Sequence, residues 1–253
     1  MTSVLIGLGL AAGAAFAARL TGLLTTGGAL AAVGIGTAVF AGGGWGLALT
    51  LIAAFALTGA ATRYRRREKI QPEQPEHRRG RSAIQVFANG LIPAALAVTG
   101  AAFDFSWALV GATGAIAAST ADTLATEIGL LSVSGPRLIT TGKMVARGRS
   151  GGITAVGTIS GAGGAIFVGV LGLGRGWAPV AAGGIAGMII DSLLGATVQA
   201  RYRCSACGEE GEMTECACGG TRTLAGGISW MTNDAVNLLM AATGAAVSVL
   251  LAS

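Results

Sequence analysis

Charged side chains are scarce in this sequence, and that scarcity is the first constraint on what it can be. Asp, Glu, Lys and Arg make up 11% of 253 residues against 52% hydrophobic ones, and the mean hydropathy is +0.67. A water-soluble domain of ordinary surface composition is excluded at that balance. Aromatics supply only 5%, whereas glycine contributes 43 residues and alanine is abundant, which suits helices that approach closely in lipid through small side chains. Histidine occurs once, as His77 in a polar stretch, and reads as a solvated surface residue. No Lys or Arg precedes the first apolar segment, Val4 to Ala18. A secretory signal carries a basic leading region, so this segment reads as a first, short span even though Ala15-Phe16-Ala17 resembles a cleavage site.

Apolar runs at 3–18, 21–41, 45–62, 83–101, 105–121, 153–173, 177–198 and 229–251 read as spans, most of them near the ~20 residues a bilayer requires. The expected fold is all-α: a polytopic transmembrane helix bundle of about eight spans, with six as the lower bound, the first and fifth being short enough for a re-entrant geometry. The whole chain, 1–253, reads as a single membrane domain. With the loop 63–82 placed in the cytoplasm, alternation puts 16 of the 17 basic residues on that side and only Arg175 opposite. That asymmetry orients a chain during insertion, and it sends both termini outside and the loop 199–228 inside. It also accounts for the net charge of +5 and for the run Arg63-Tyr64-Arg65-Arg66-Arg67, so nucleic acid is not an expected partner. Such a segment is drawn to anionic headgroups, and Gln71 to Glu76 within it reads as a flexible linker.

An ionisable group in or beside a span costs several kcal/mol unless paired, hydrated or metal-bound. Four acids stand out: Asp122, Glu127, Asp191 and Asp234. All fall toward the cytoplasmic ends of the fifth, seventh and eighth spans, where they can converge. Asp122 and Glu127 would point ~140° apart on an ideal helix, so sharing one metal would need that helix to end or distort; each could instead pair separately, for example with Arg147 or Lys143. Asp191 continues a four-residue ridge, Gly183, Gly187, Asp191, Gly195, which places it on a close-packed face. Asn233, Asp234 and Asn237 share a helix face, as do Gln85 and Asn89. Hard cations such as Mg2+ take carboxylate, amide and phosphate oxygens, so the acids are expected to form a Mg2+ and phosphate site. The complementary segment is Thr140 to Gly152, where Lys143, Arg147 and Arg149 can grip phosphate oxygens and Ser150, Gly151 and Gly152 expose backbone N–H groups. It contains no Walker A pattern.

All four cysteines lie between Cys204 and Cys218, as Cys204-Ser-Ala-Cys207 and Cys216-Ala-Cys218. A CxxC and a CxC can supply a tetrahedral zinc site, which would be structural because four thiolates leave no open position. A redox role lacks the usual strand and helix context.

Several of these segments, in this order, carry a resemblance: Asn89-Gly90, Ala121 to Gly129, Gly151-Gly152-Ile153 through Gly157-Thr158 to Gly161, Asp191 to Ala196, Gln199, the cysteine loop and Asn233 to Asn237. Over nearly its whole length the chain resembles the membrane family that includes transmembrane protein 19 and plant phytyl-phosphate kinase. From Asp122 through Lys143 to Ser150 it is also distantly similar to phytol and dolichol kinases. The cysteine loop departs from a frequent His-Cys pattern of the family, having Ala217 before Cys218. The resemblance implies phosphorylation of a prenyl monophosphate, such as phytyl or geranylgeranyl phosphate, to the diphosphate, with CTP or ATP as donor. It places Asp122, Glu127, Asp191 and Asp234 at the polar site. On that view Asp122, Glu127 and Asp191, helped by Asp234 and Asn237, hold Mg2+; Lys143, Arg147 and Arg149 steady the phosphates; and Asn89, Thr158 and Asn233 help to line the site. A cytidylyltransferase making a CDP-activated lipid and an ion-coupled transporter or lipid-translocating protein are the rival classes. The expected location is the cell membrane, multi-pass, with the active face cytoplasmic.

Overall fold

In lipid a spanning chain must satisfy its backbone polar groups internally, and this one does so with helices. The computed structural model describes residues 2–69 and 80–253, with backbone alone at Arg175. Most of the expected linker, with His77, Arg78 and Arg79, lies outside the described residues. In chain order the elements are α1 Thr2–Leu20, α2 Thr26–Arg63, α3 Arg66–Lys69, α4 Ala83–Phe103, α5 Trp107–Gly129, β1 Arg137–Leu138, β2 Gly152–Ile153, α6 Ala155–Leu173, α7 Trp177–Thr197, β3 Arg201–Cys204, β4 Glu210–Gly211, β5 Arg222–Gly226 and α8 Asn233–Ala252. Seven of the described helices are long and apolar enough to cross a membrane.

Among these, α2 is doubled. Its 38 residues would extend roughly 57 Å if straight, nearly twice the ~30 Å hydrocarbon core. The helix breaks at Gly44 (φ 65°, ψ −162°), a conformation open essentially only to glycine. The two arms then run antiparallel. Gly59 of the second arm packs on Leu23, just ahead of the first, and the Arg63 guanidinium donates to the Thr21 carbonyl. The second and third expected spans are these arms, so the described helices supply eight membrane-length segments.

The fifth span is longer than expected. α5 continues as regular helix through Asp122 and Glu127 to Gly129, and it forms the centre of the bundle against α2, α4, α6, α7 and α8. Two-thirds of its apolar window is buried (67%), compared with 17% for α1 at the edge. The first span is likewise a full 19-residue helix laid along α2, with Gly7 against Phe40 and Ala11 against Gly36. Neither is re-entrant.

Small residues let the central helices touch. A Cβ at Gly114 or at Gly183 would collide with Ser248 of α8, and one at Gly187 would meet Ala118 of α5 and the Met240 carbonyl. On α6, Gly157 and Gly161 pack on the Ala125 and Ala121 carbonyls of α5.

The polar connections gather at one end of the bundle. Thr25 N–H donates to the Arg81 carbonyl at 3.1 Å, Lys69 reaches Glu127, and Gln199 reaches Glu212 and Ser150. β1 and β2 pair antiparallel to form a hairpin after α5, and β4-β3-β5 form a small antiparallel sheet between α7 and α8.

Candidate functional site

Helix register decides which acids meet. α5 and α7 run parallel, and Gly187 sits on Ala118; one turn further on, Asp191 and Asp122 are both in position to face each other. Their carboxyl groups interact directly. The glycine ridge read from the sequence thus delivers Asp191 to a second acid, six residues or about 9 Å before α7 ends. Two ionised carboxylates this close in a medium of low polarity repel unless a cation or a proton lies between them.

Asp122 and Glu127 point apart, as their five-residue separation on an undistorted helix requires. Glu127 accepts from Lys69 Nζ at 2.9 Å, and the same ammonium donates to the Ala61 carbonyl at 2.5 Å; both side chains are largely buried. Pairing of Asp122 or Glu127 with Lys143 or Arg147 is not what the fold provides. Lys69, at the end of α3, and Arg81, just ahead of the α4 cap, take those places. The Arg81 guanidinium lies 5.4 Å from the Phe55 ring centroid with Glu127 and Asp122 as its charge partners, and burial pulls it below its ordinary pKa.

Around the acids runs one elongated cavity of about 1030 Å3. Its polar end is lined by Arg81, Asp122, Glu127, Asp191, Arg149 and Asp234, with Asn89, Arg147, Ser150, Gly151, Gly152, Thr158, Asn233 and Asn237 also on its wall. The other end is apolar, walled by Leu10 and Ala14 of α1 and by Ile35, Phe40, Trp45 and Ile52 of α2. From Trp45 to Thr62 alone this lining covers roughly 25 Å, most of a bilayer's hydrocarbon thickness. The N-termini of α4, α6 and α8 all reach the polar end. They are capped by Ser82, Thr154 and Thr232, and each turns the positive end of its helix dipole toward the polar end.

Nearly all the expected phosphate-site residues are therefore on one cavity, but Lys143 is not. It is exposed, at the tip of the β1–β2 hairpin, where its carbonyl accepts from Leu138 N–H at 2.9 Å. Arg147 is on the wall, yet it also braces the chain after α5 by donating to the Ser132 carbonyl at 2.8 Å. Nor do the four acids close on one point: among the described residues, the cysteines form the one group of three or more such ligands that does. Glu127 belongs to Lys69 and Arg81, which leaves Asp122 and Asp191 as the tight pair.

Whether these residues suit Mg2+ can be tested on their oxygens. Among the described residues, the buried side-chain oxygens without a hydrogen-bond partner are Ser119 Oγ, Asp191 Oδ1 and Asp234 Oδ1, and all three residues line the cavity. Hard, unsatisfied oxygens beside a carboxylate pair fit Mg2+, which binds through one or two carboxylates and completes its shell with water and phosphate.

Three contributors escaped the sequence reading. Arg81 could have been noticed as the last cation before the capping box formed by Ser82 and Gln85. Nothing marked Lys69 among its basic neighbours. Glu212 sits in the cysteine-rich loop, accepts from Gln199 Nε2 at 2.9 Å, contacts Ser150 Oγ, and lines the cavity. Nearby, Arg149 is pulled below its ordinary pKa by burial and then by Arg201, while the guanidinium of Arg203 holds Glu210 below the usual carboxylate range.

The four cysteines are free thiols gathered at the edge of the β4-β3-β5 sheet, with their sulfurs all within 4.8 Å of one another. Backbone N–H groups of Cys207 and Ala206 hold the Cys204 thiol down to about 6.

Comparison with known proteins agrees with this architecture. An uncharacterised membrane protein of Methanocaldococcus jannaschii is 48% identical over 121 residues, covering 46% of this chain and half of that protein. One from Synechocystis is 28% identical over 227 residues, covering 85% of this chain and 77% of the relative. Protein PGR of Arabidopsis thaliana is 36% identical over 112 residues, 38% of this chain and 39% of the plant protein. The matched region thus spans about half or less of the archaeal and plant relatives. No solved structure matches the chain. Residues 9–245 match the family described as integral membrane protein DUF92, which bears out the resemblance read from the motifs: the chain is a multi-pass membrane protein and belongs to that family.

Proposed function

We propose that this protein is a membrane lipid kinase that converts a prenyl monophosphate to the diphosphate with a nucleoside triphosphate and Mg2+. The observation that carries the reading is the two-ended cavity. One end is an apolar channel long enough to take an extended prenyl tail, and the other is a buried carboxylate pair facing cations and three helix N-termini. A volume of about 1030 Å3 is at the upper end of ordinary ligand sites, ~300–1,000 Å3, as a lipid with a nucleotide phosphate beside it would need.

Phosphoryl transfer asks little covalent chemistry of a protein, mainly alignment and neutralisation of charge. A lipid monophosphate oxygen attacks the terminal phosphorus of the nucleotide, the bond to the bridging oxygen breaks, and the nucleoside diphosphate departs. A phosphate monoester, with its second pKa near ~6, is already nucleophilic at neutral pH, so no general base is required. The role of this chain is to position the reactants. The apolar walls of α1 and α2 hold the tail, Arg81 and Arg149 with the α4, α6 and α8 N-termini hold phosphate oxygens, and Asp122 and Asp191 are the residues that would hold Mg2+. When bound, the ion supplies neutralisation of the phosphate charge. The cytoplasm, where the nucleotide is found, is the side this end faces under the positive-inside rule.

The test is purified protein with Mg2+, labelled CTP or ATP and a panel of prenyl monophosphates. Labelled diphosphate is expected, with a loss of roughly 100-fold or more in Asp122→Asn and Asp191→Asn that still fold. Folded wild-type protein that transfers no label across the panel would sink the proposal.

A further inference from the structure

The cysteine sheet stands outside the reaction just described, yet it is attached to the cavity. β3 leaves directly after α7, and the chain returns from β5 into α8. Its base is clamped by Ala200 N–H to the Met231 carbonyl at 2.8 Å and by Ile228 N–H to the Val198 carbonyl at 2.9 Å. Between the two cysteine pairs lies the segment 209–215, which sends Glu212 and Met213 to the cavity wall.

Within the sheet the sulfurs are arranged as two facing pairs. Cys204 and Cys218 are 3.5 Å apart, as are Cys207 and Cys216, and all four fall within 4.8 Å. A tetrahedral zinc with Zn–S of ~2.3 Å separates its sulfurs by roughly 3.8 Å, so one ion fits between them with only small adjustment. Each half of the set is also built as a tight turn closed by a glycine: Cys207-Gly208 and Cys218-Gly219 have glycine φ of 77° and 83°, and Gly208 N–H and Gly219 N–H donate to the carbonyls of Cys204 and Cys216 at 3.0 and 2.9 Å. The turn back to Cys216 is held as well, since buried Arg222 donates to the Glu215 carbonyl at 2.9 Å.

We infer that Cys204, Cys207, Cys216 and Cys218 bind one structural Zn2+, and that this ion fixes the 209–215 segment so that Glu212 is held over the polar end of the cavity. A closed site of four thiolates has no coordination position for substrate, so the ion acts through shape. Without it, three short strands, the base clamp and the side-chain bonds of Arg222 and Glu212 are left to hold the turn, so the segment is expected to loosen rather than to unfold the bundle. Glu212 is a positioning residue on this account, anchoring Ser150 and Gln199 of the cavity wall.

The inference is tested without nucleotide, so its outcome is independent of the kinase reading. Full-length protein, purified in detergent under reducing conditions, is assayed for metal by mass spectrometry and for hydrogen exchange over 199–228, before and after extraction with a zinc chelator. About one zinc per chain is expected, absent from Cys207→Ser and retained in Cys216→His, where imidazole can replace thiolate. Chelation should accelerate exchange at 209–213 while leaving α5 and α7 protected. A chain with four reactive thiols and no zinc, one with disulfides or iron in place of zinc, or exchange that does not change on chelation would overturn it. Should Cys207→Ser fail to fold, the chelated wild type and Cys216→His give the same decision.

Discussion

At the scale of single residues, charge pairing in this membrane domain follows from which groups can reach each other once lipid has excluded water. Lys69 and Glu127 show the principle, since a 2.9 Å bridge between largely buried side chains is held at both ends and neither charge can easily leave. Removing one partner leaves the other buried and uncompensated, which typically costs about 3–5 kcal/mol, while replacing both by apolar residues is often near neutral. Lys69→Met or Glu127→Gln is therefore expected to lower the unfolding midpoint in detergent clearly, and Lys69→Met with Glu127→Leu to recover only part of the loss, because Arg81 then keeps Asp122 alone as its charge partner. A double variant as unstable as the sum of the singles would show that the pair is not coupled. Asp122 and Asp191 are the opposite case, two acidic groups brought together with no cationic side chain between them among the described residues, and on the proposed function that juxtaposition serves a ligand rather than stability.

At the scale of helices, the site depends on close approach of backbones. The contact of Gly187 with Ala118 and the Met240 carbonyl sets the register that brings Asp191 to Asp122. Gly187→Leu would wedge α7 away from α5 and α8, and is expected to reduce phosphoryl transfer at least as much as it reduces thermal stability. Gly9→Ala is the control, since a Cβ there meets nothing within 4 Å, and should leave turnover unchanged and thermal stability undiminished. A Gly187→Leu protein with undiminished turnover would contradict the register argument. This part of the site was legible in the sequence because it is periodic: glycines and an acid four apart on one helix, and two acids five apart on another, state their own directions. The partners of Glu127 were not legible. Lys69 reaches it from the short helix α3 and Arg81 from the residue ahead of the Ser82 cap, and no spacing rule places either one. For the same reason Lys143, attractive in its glycine-rich segment, turned out to be at the exposed tip of a hairpin.

At the scale of the whole molecule, the succession of membrane-length helices and the gathering of polar connections at one end were written in hydropathy and charge, which act over whole segments and tolerate local error, while the family was written in the short motifs. The doubling of α2 was visible too, as two apolar runs, although the turn at Gly44 is a single residue and the arms form one continuous run of helix on either side of it. What the bundle adds is the cavity, because only the assembled fold joins an apolar channel along α1 and α2 to acids on α5 and α7. The central claim is that this cavity moves a terminal phosphate onto a lipid phosphate. The direct measurement is reconstituted protein given a prenyl monophosphate and either γ-labelled or α-labelled nucleotide. Label in the lipid diphosphate from the γ-labelled donor alone, with release of the nucleoside diphosphate, is the expected result. Label entering lipid from the α position would make the protein a nucleotidyltransferase, and label entering from neither, with folded protein, would contradict the account.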